Sequence, residues 1–176
     1  MKVKNLKPNE ILTTRDFPVH NEHILKIYFK ICKKGHQEIL PPTPVIPLSV
    51  GLPLLDNKSK KDKEYNKKIK EFIKENKNIK YIMLDGSHKT TALFLTHNKI
   101  HSVIFEKDAD IKEFVDLVHT GEVFSLTTKE TIKGSLMEKA KHLKGAMFFE
   151  SVEEKSKRMV EEKVIPEFMI DYYKGK

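Results

Sequence analysis

The sequence predicts an α/β fold, a mixed sheet with flanking helices, on three observations. A short apolar run at 81–84 (Tyr-Ile-Met-Leu) is followed at once by Asp-Gly-Ser and then by a stretch that keeps Ala92, Leu93 and Phe94 on one helical face. A second strand-type run, 100–105, begins just after Asn98. Ahead of both, Ile24, Leu25, Tyr28, Phe29, Ile31 and Cys32 form the apolar stripe of a helix. At 176 residues and 39% hydrophobic content, the chain suits one core or a domain with an appendage, and it should fold alone.

Taken in order, residues 3–12 read as a short segment broken by a turn at Lys7-Pro8-Asn9-Glu10, after which Ile11 and Leu12 return to the core. Asn21 or Pro18 starts a helix over 22–34 and Gly35 stops it. The Pro-rich 40–44 leads into a strand at 45–50, where Pro47 predicts an edge position or a bulge. Residues 52–78 are the strongest shift in composition. A charged run is followed there by Tyr65, Ile69, Phe72 and Ile73 at helical spacing, which reads as a Lys-rich insertion and a cover for a site. A helix at 110–118 has an acidic first turn and Gly121 beyond its end. Residues 135–176 carry two helical stretches and an aromatic end, expected to pack on the core or on another subunit. The expected division is a catalytic domain at 1–134 and a helical C-terminal extension at 135–176.

Lys and Arg number 33 against 25 Asp and Glu, and Arg15 and Arg158 are the two arginines. The resulting net charge of +8 favours anionic ligands. A lysine excess interleaved with Glu64, Glu71 and Glu75 reads as a solvated surface before it reads as a nucleic-acid interface. Cys32 is the single cysteine, so no disulfide forms within the chain and no Cys-based zinc site exists. His20 and His23 are three apart, but His20 precedes the helix, which sets aside a metal pair. No apolar stretch is long enough to span a bilayer and no signal region follows Met1, so a cytoplasmic protein is expected.

The chemistry concentrates in Asp85-Gly86-Ser87-His88-Lys89, at the strand-to-helix turn. A helix N-terminus has unsatisfied N–H groups and a positive dipole end, and glycine lets the backbone approach an anion closely. Ser87 either caps the helix or binds the anion through its hydroxyl, His88 and Lys89 add donors and charge, and Asp85 is placed to hold a metal or orient a hydroxyl. The bland alternative is an Asx turn with Ser87 as an ordinary N-cap.

A strand, Asp-Gly-x-His-Lys, a helix and a strand at 100–105 together resemble the core of the ParB/sulfiredoxin superfamily. The turn Lys7-Pro8-Asn9-Glu10 and the segment 121–129 (Gly-Glu-Val-Phe-Ser-Leu-Thr-Thr-Lys) are similar to its free-serine kinase branch. The resemblance spans about 3–129, interrupted by the insertion. It implies a kinase that phosphorylates free serine from ADP or ATP with Mg²⁺. It also implies Glu10 as the base, Asp85 as catalytic group and Mg²⁺ ligand, and Gly86, Ser87, His88 and Lys89 on the nucleotide phosphates. Thr127, Thr128 and Lys129 would then line the serine pocket. Where that branch carries an Arg-His pair after the threonines, this chain has Lys129-Glu130. Sulfiredoxins carry a cysteine at the position of Ser87, and partition proteins add a helix-turn-helix. The rival expectation is accordingly a ParB-like nucleotide- and DNA-binding module without kinase activity.

Overall fold

The computed structural model describes residues 1–13, 16–123, 125 and 129–175. The strands are β1 (Lys2–Leu6), β2 (Ile11–Leu12), β3 (Thr43–Pro47), β4 (Tyr81–Met83) and β5 (Ile100–Ile104), joined in one sheet of order β1-β5-β3-β4-β2. Strands β1 and β5 pair antiparallel, β5 and β3 parallel, β3 and β4 antiparallel, and β4 and β2 parallel. The helices are α1 (Glu22–Lys33), α2 (Lys60–Glu75), α3 (Ser87–Leu95), α4 (Asp108–His119), α5 (Ile132–Lys144), α6 (Val152–Glu161) and α7 (Glu167–Lys174).

Because successive strand residues face opposite sides, each strand supplies both faces of the sheet. Ile11, Val45, Met83 and Ile104 enter one core with side chains of α1, α3, α6 and α7. Leu12, Ile46, Ile82 and Val103 enter the other with side chains of α2, α4 and α5. The result is three layers, helix on sheet on helix.

Local signals account for most boundaries. Pro8–Glu10 form a single 3-10 turn, Asn21 Oδ1 accepts from the Ile24 N–H at the start of α1, and Gly35 turns left-handed (φ 79°) after its end. Within α2, Ser59 and Asp62 make a reciprocal capping box, and Tyr65 and Ile69 are fully buried. One element differs from expectation. Strand β3 lies in the middle of the sheet despite Pro44 and Pro47. The Pro44 carbonyl accepts from the Leu84 N–H at 2.9 Å, whereas the Pro47 carbonyl already accepts from Val50 in the following turn. Pairing with β5 runs from Thr43 to Val45, so Pro47 lies beyond that ladder and its missing N–H interrupts nothing. The C-terminal helices pack on the core, one of the two placements expected for them, with Val152, Met159 and Met169 in the first core and Leu136, Ala140 and Leu143 in the second.

Register fixes which residues share an end of the sheet. With Ile11 opposite Tyr81 and Val45 opposite Met83, the carboxyl ends of β2 and β4 and the entry to β3 lie together. Asp16, the 85–89 turn and Thr43 follow or precede those strand ends. Among the described residues no helix is long and apolar enough to cross a membrane.

Candidate functional site

At that end of the sheet is a cavity of about 730 Å³, within the size range of small-molecule sites. All five residues of the Asp85–Lys89 turn line it, and so does Lys129. Thr127 and Thr128 lie outside the described residues; Ser125 donates its hydroxyl to Asp85 Oδ2 at 2.9 Å. The N-cap of α5 is Thr131, whose hydroxyl oxygen accepts from the Gly134 N–H.

Gly86 takes φ 106°, a backbone conformation that side chains disfavour, and is itself the N-cap of α3. Its carbonyl accepts from the Thr90 N–H at 2.9 Å, and its N–H donates to Asp85 Oδ1 at 2.6 Å. Ser87 is therefore the first helical residue rather than the cap. Its Oγ accepts from the Lys155 ammonium at 2.6 Å. His88 Nε2 accepts from the Asn21 N–H at 3.0 Å, so the imidazole is neutral there and its proton is on Nδ1. Burial pushes its pKa down in the same sense, while Asp16 pulls the other way. Lys89 is buried and donates to the Pro41 carbonyl. Burial pushes its ammonium down to about 8, against the pull of Asp85.

Glu10 is at the other end of β4. Its carbonyl accepts from the Lys80 N–H at 2.8 Å, and five residues of largely extended chain, roughly 16 Å, separate Lys80 from Asp85. Burial raises the Glu10 pKa, but the Lys7 N–H at 2.9 Å and the Lys80 ammonium at 3.0 Å outweigh that and hold it below the usual carboxylate range. Glu10 thus closes its own turn and does not line the cavity. The carboxylate brought there by the segment after β2 is Asp16.

Several lining groups escaped the sequence reading. Ser135, Glu138, Lys139 and His142 of α5 recur at i, i+3, i+4 and i+7 and form one wall. Burial pushes Lys139 below the ordinary lysine value, with Asp85 and Asp16 opposing. Behind Ser87, Lys155 of α6 is 1% exposed and pairs with Asp16 Oδ1 at 2.9 Å. A signal for it was present, since Val152, Lys155, Ser156 and Met159 share one helical face and a lysine interrupts an apolar stripe. The insertion at 52–78 contributes no lining residue. The cover comes from α5, and α2 packs on the second core instead. Cys32 is buried, its thiol pushed up to about 11 chiefly by burial, which leaves it unsuited to thiol chemistry.

The wall carries Lys89, Lys129 and Lys139 against Asp16, Asp85 and Glu138, with Phe17, Ile24 and Tyr28 as an apolar side. Such a wall suits a ligand with both charge and a flat apolar part. Among the described residues no group of three or more His, Cys, Asp or Glu gathers to hold a metal ion. Asp16 and Asp85 do fit a Mg²⁺ carried on a nucleotide, because such an ion takes one or two carboxylates and completes its shell with phosphate oxygens and water. No protein-family model, curated protein or solved structure matches this chain, so the assignment of function rests on the residues of the cavity themselves.

Proposed function

We propose that this chain transfers a phosphoryl group from an adenine nucleotide, ADP or ATP, to the hydroxyl of a small acceptor, free serine first among them. The observation that carries the reading is the junction at Gly86, a left-handed glycine that opens the N-terminus of α3 onto a cavity of nucleotide size. In this reading the amides that begin α3, with Ser87 and Lys89, hold the donor phosphates. Asp85 and Asp16 serve the acceptor and a nucleotide-borne Mg²⁺, which when bound neutralises phosphate charge. Asp16 takes the hydroxyl proton, the role that the sequence suggested for Glu10. Phosphoryl transfer of this kind depends on positioning and charge neutralisation, so a carboxylate of low basicity suffices.

The test is incubation of the full chain with Mg²⁺, serine and either ADP or ATP, followed by mass spectrometry for O-phosphoserine. Product forms with the native residues and with Glu10→Gln, and is lost with Asp16→Asn. Loss in Glu10→Gln would return Glu10 to the chemistry, and absence of product from the native chain rejects the reading.

The Lys89 ammonium sets a pH dependence. Below about 8 it is charged, and above that value it is neutral in the folded chain. Nucleotide affinity therefore falls as pH rises through about 8, and Lys89→Met binds weakly at pH 7 and shows no such fall. Stability moves the opposite way. The unfolded chain keeps this proton up to 10.5, so folding gains stability between about 8 and 10.5, and Lys89→Met flattens that gain in urea titrations.

The position of Glu10, remote from the 85–89 turn, favours a second reading, a ParB-like module that binds nucleotide without transferring phosphate. ADP binding without product, together with DNA affinity that falls steeply with salt, selects it.

A further inference from the structure

Lys155 is 1% exposed, and an ammonium so placed needs partners. Its Nζ donates to Asp16 Oδ1 at 2.9 Å and to Ser87 Oγ at 2.6 Å. An ammonium has donors and no acceptor, so Ser87 Oγ is the acceptor in this contact. The single O–H of Ser87 is then left for another partner, on the wall of the cavity and in the first residue of α3. A second observation indicates a polar ligand there. Ser135, on the α5 wall of the same cavity, is 3% exposed, and its Oγ has no hydrogen-bond partner among the described residues. Thr43 Oγ1, 3.4 Å from where a Cβ on Gly86 would stand, is also buried without one among the described residues.

We propose that Lys155 is a positioning residue for a phosphate site. By donating to Ser87 Oγ it commits the Ser87 hydroxyl as a donor to a phosphate oxygen at the N-terminus of α3. The ligand class is a phosphate monoester or diphosphate, and the inference rests on reading the cavity as a nucleotide site. Asp16 fixes the ammonium and offsets its charge, so the effect of Lys155 is geometric rather than a gain in net charge. Burial pushes the Lys155 pKa below the ordinary lysine value and Asp16 opposes it, so the ion pair with Asp16 Oδ1 is the contact that holds the proton on Nζ. The helix that carries Lys155 lies outside the 3–129 region of family resemblance, so the C-terminal segment completes the site.

The test measures binding of inorganic pyrophosphate to the full chain by calorimetry. With Lys155 in place, Ser87→Ala loses about tenfold in affinity, as expected for a hydrogen bond to a charged group, and Ser87→Thr retains it. Lys155→Met is made together with Asp16→Asn, and this paired change is measured against the native pair, so that neither charge is left buried without its partner. The paired change costs about tenfold with Ser or Thr at position 87 and nothing with Ala, a non-additivity that a merely structural lysine would not produce. An unchanged affinity in Ser87→Ala, an equal loss whatever stands at 87, or no pyrophosphate binding by the native chain overturns the inference. Coupling without O-phosphoserine formation leaves it standing and ends the transfer reading, whereas product formation with an additive cycle does the reverse.

Discussion

A chain ending at Gly134 gives no cooperative unfolding transition. The truncation removes Val152, Met159, Val160, Ile165, Met169 and Ile170 from the core on one face of the sheet and Leu136, Ala140 and Leu143 from the core on the other. At about 1.5–3 kcal/mol for each large apolar side chain buried, the loss matches or exceeds the net stability of about 5–15 kcal/mol that a domain possesses. Phe29 is deprived of its edge-to-face packing on Phe168 and Tyr172, whose ring centroids stand 5.7 and 5.5 Å from its own. Thr13 also loses the Glu150 carbonyl to which its N–H donates at 3.1 Å. Far-UV circular dichroism during heating checks the result. A sharp transition in the shortened chain would mean that 135–176 is an appendage, as the sequence suggested.

Gly86→Val removes phosphate binding. The substitution places a β-branched residue at φ 106°, strain on the order of 1–3 kcal/mol. Its Cβ would stand 3.2 Å from Lys89 Cε and 3.4 Å from Thr43 Oγ1. Relief of either contact shifts the start of α3 or displaces Lys89, and a shift of about 1 Å in a positioned group costs on the order of a hundredfold. Pyrophosphate affinity should fall by about that factor. Gly35→Ala is the control, because Gly35 is also left-handed (φ 79°) but has nothing within 4 Å of a new Cβ. That variant loses about 1 kcal/mol of stability and binds pyrophosphate normally. Normal binding by Gly86→Val would detach the glycine from the site.

Helices were legible wherever a local cap met an apolar stripe. Asn21 and Gly35 bracket α1; the sequence alone indicated Gly35 as the stop and offered Asn21 beside Pro18 as the start. The turn at 85–89 was legible for the same reason, since strand type, glycine and helix follow one another within a few residues. Pro47 misled because proline reports only on its own N–H. Whether a ladder needs that N–H depends on how far the neighbouring strand extends, and β5 stops short of it.

By itself the sequence determined the α/β class, the position of the glycine turn and the anion-favouring character of the helix it opens. All three follow from interactions within a few residues of one another. Only the tertiary structure decided that β2 and β4 run parallel, which carries Asp16 to the turn and leaves Glu10 at the far end. It also decided that α5 walls the cavity and that α6 stands behind Ser87, bringing Lys155 within 2.6 Å of it across 68 residues of chain. Strand direction and helix docking are set by the burial of two apolar faces at once. That is a property of the assembled sheet, and no local segment encodes it.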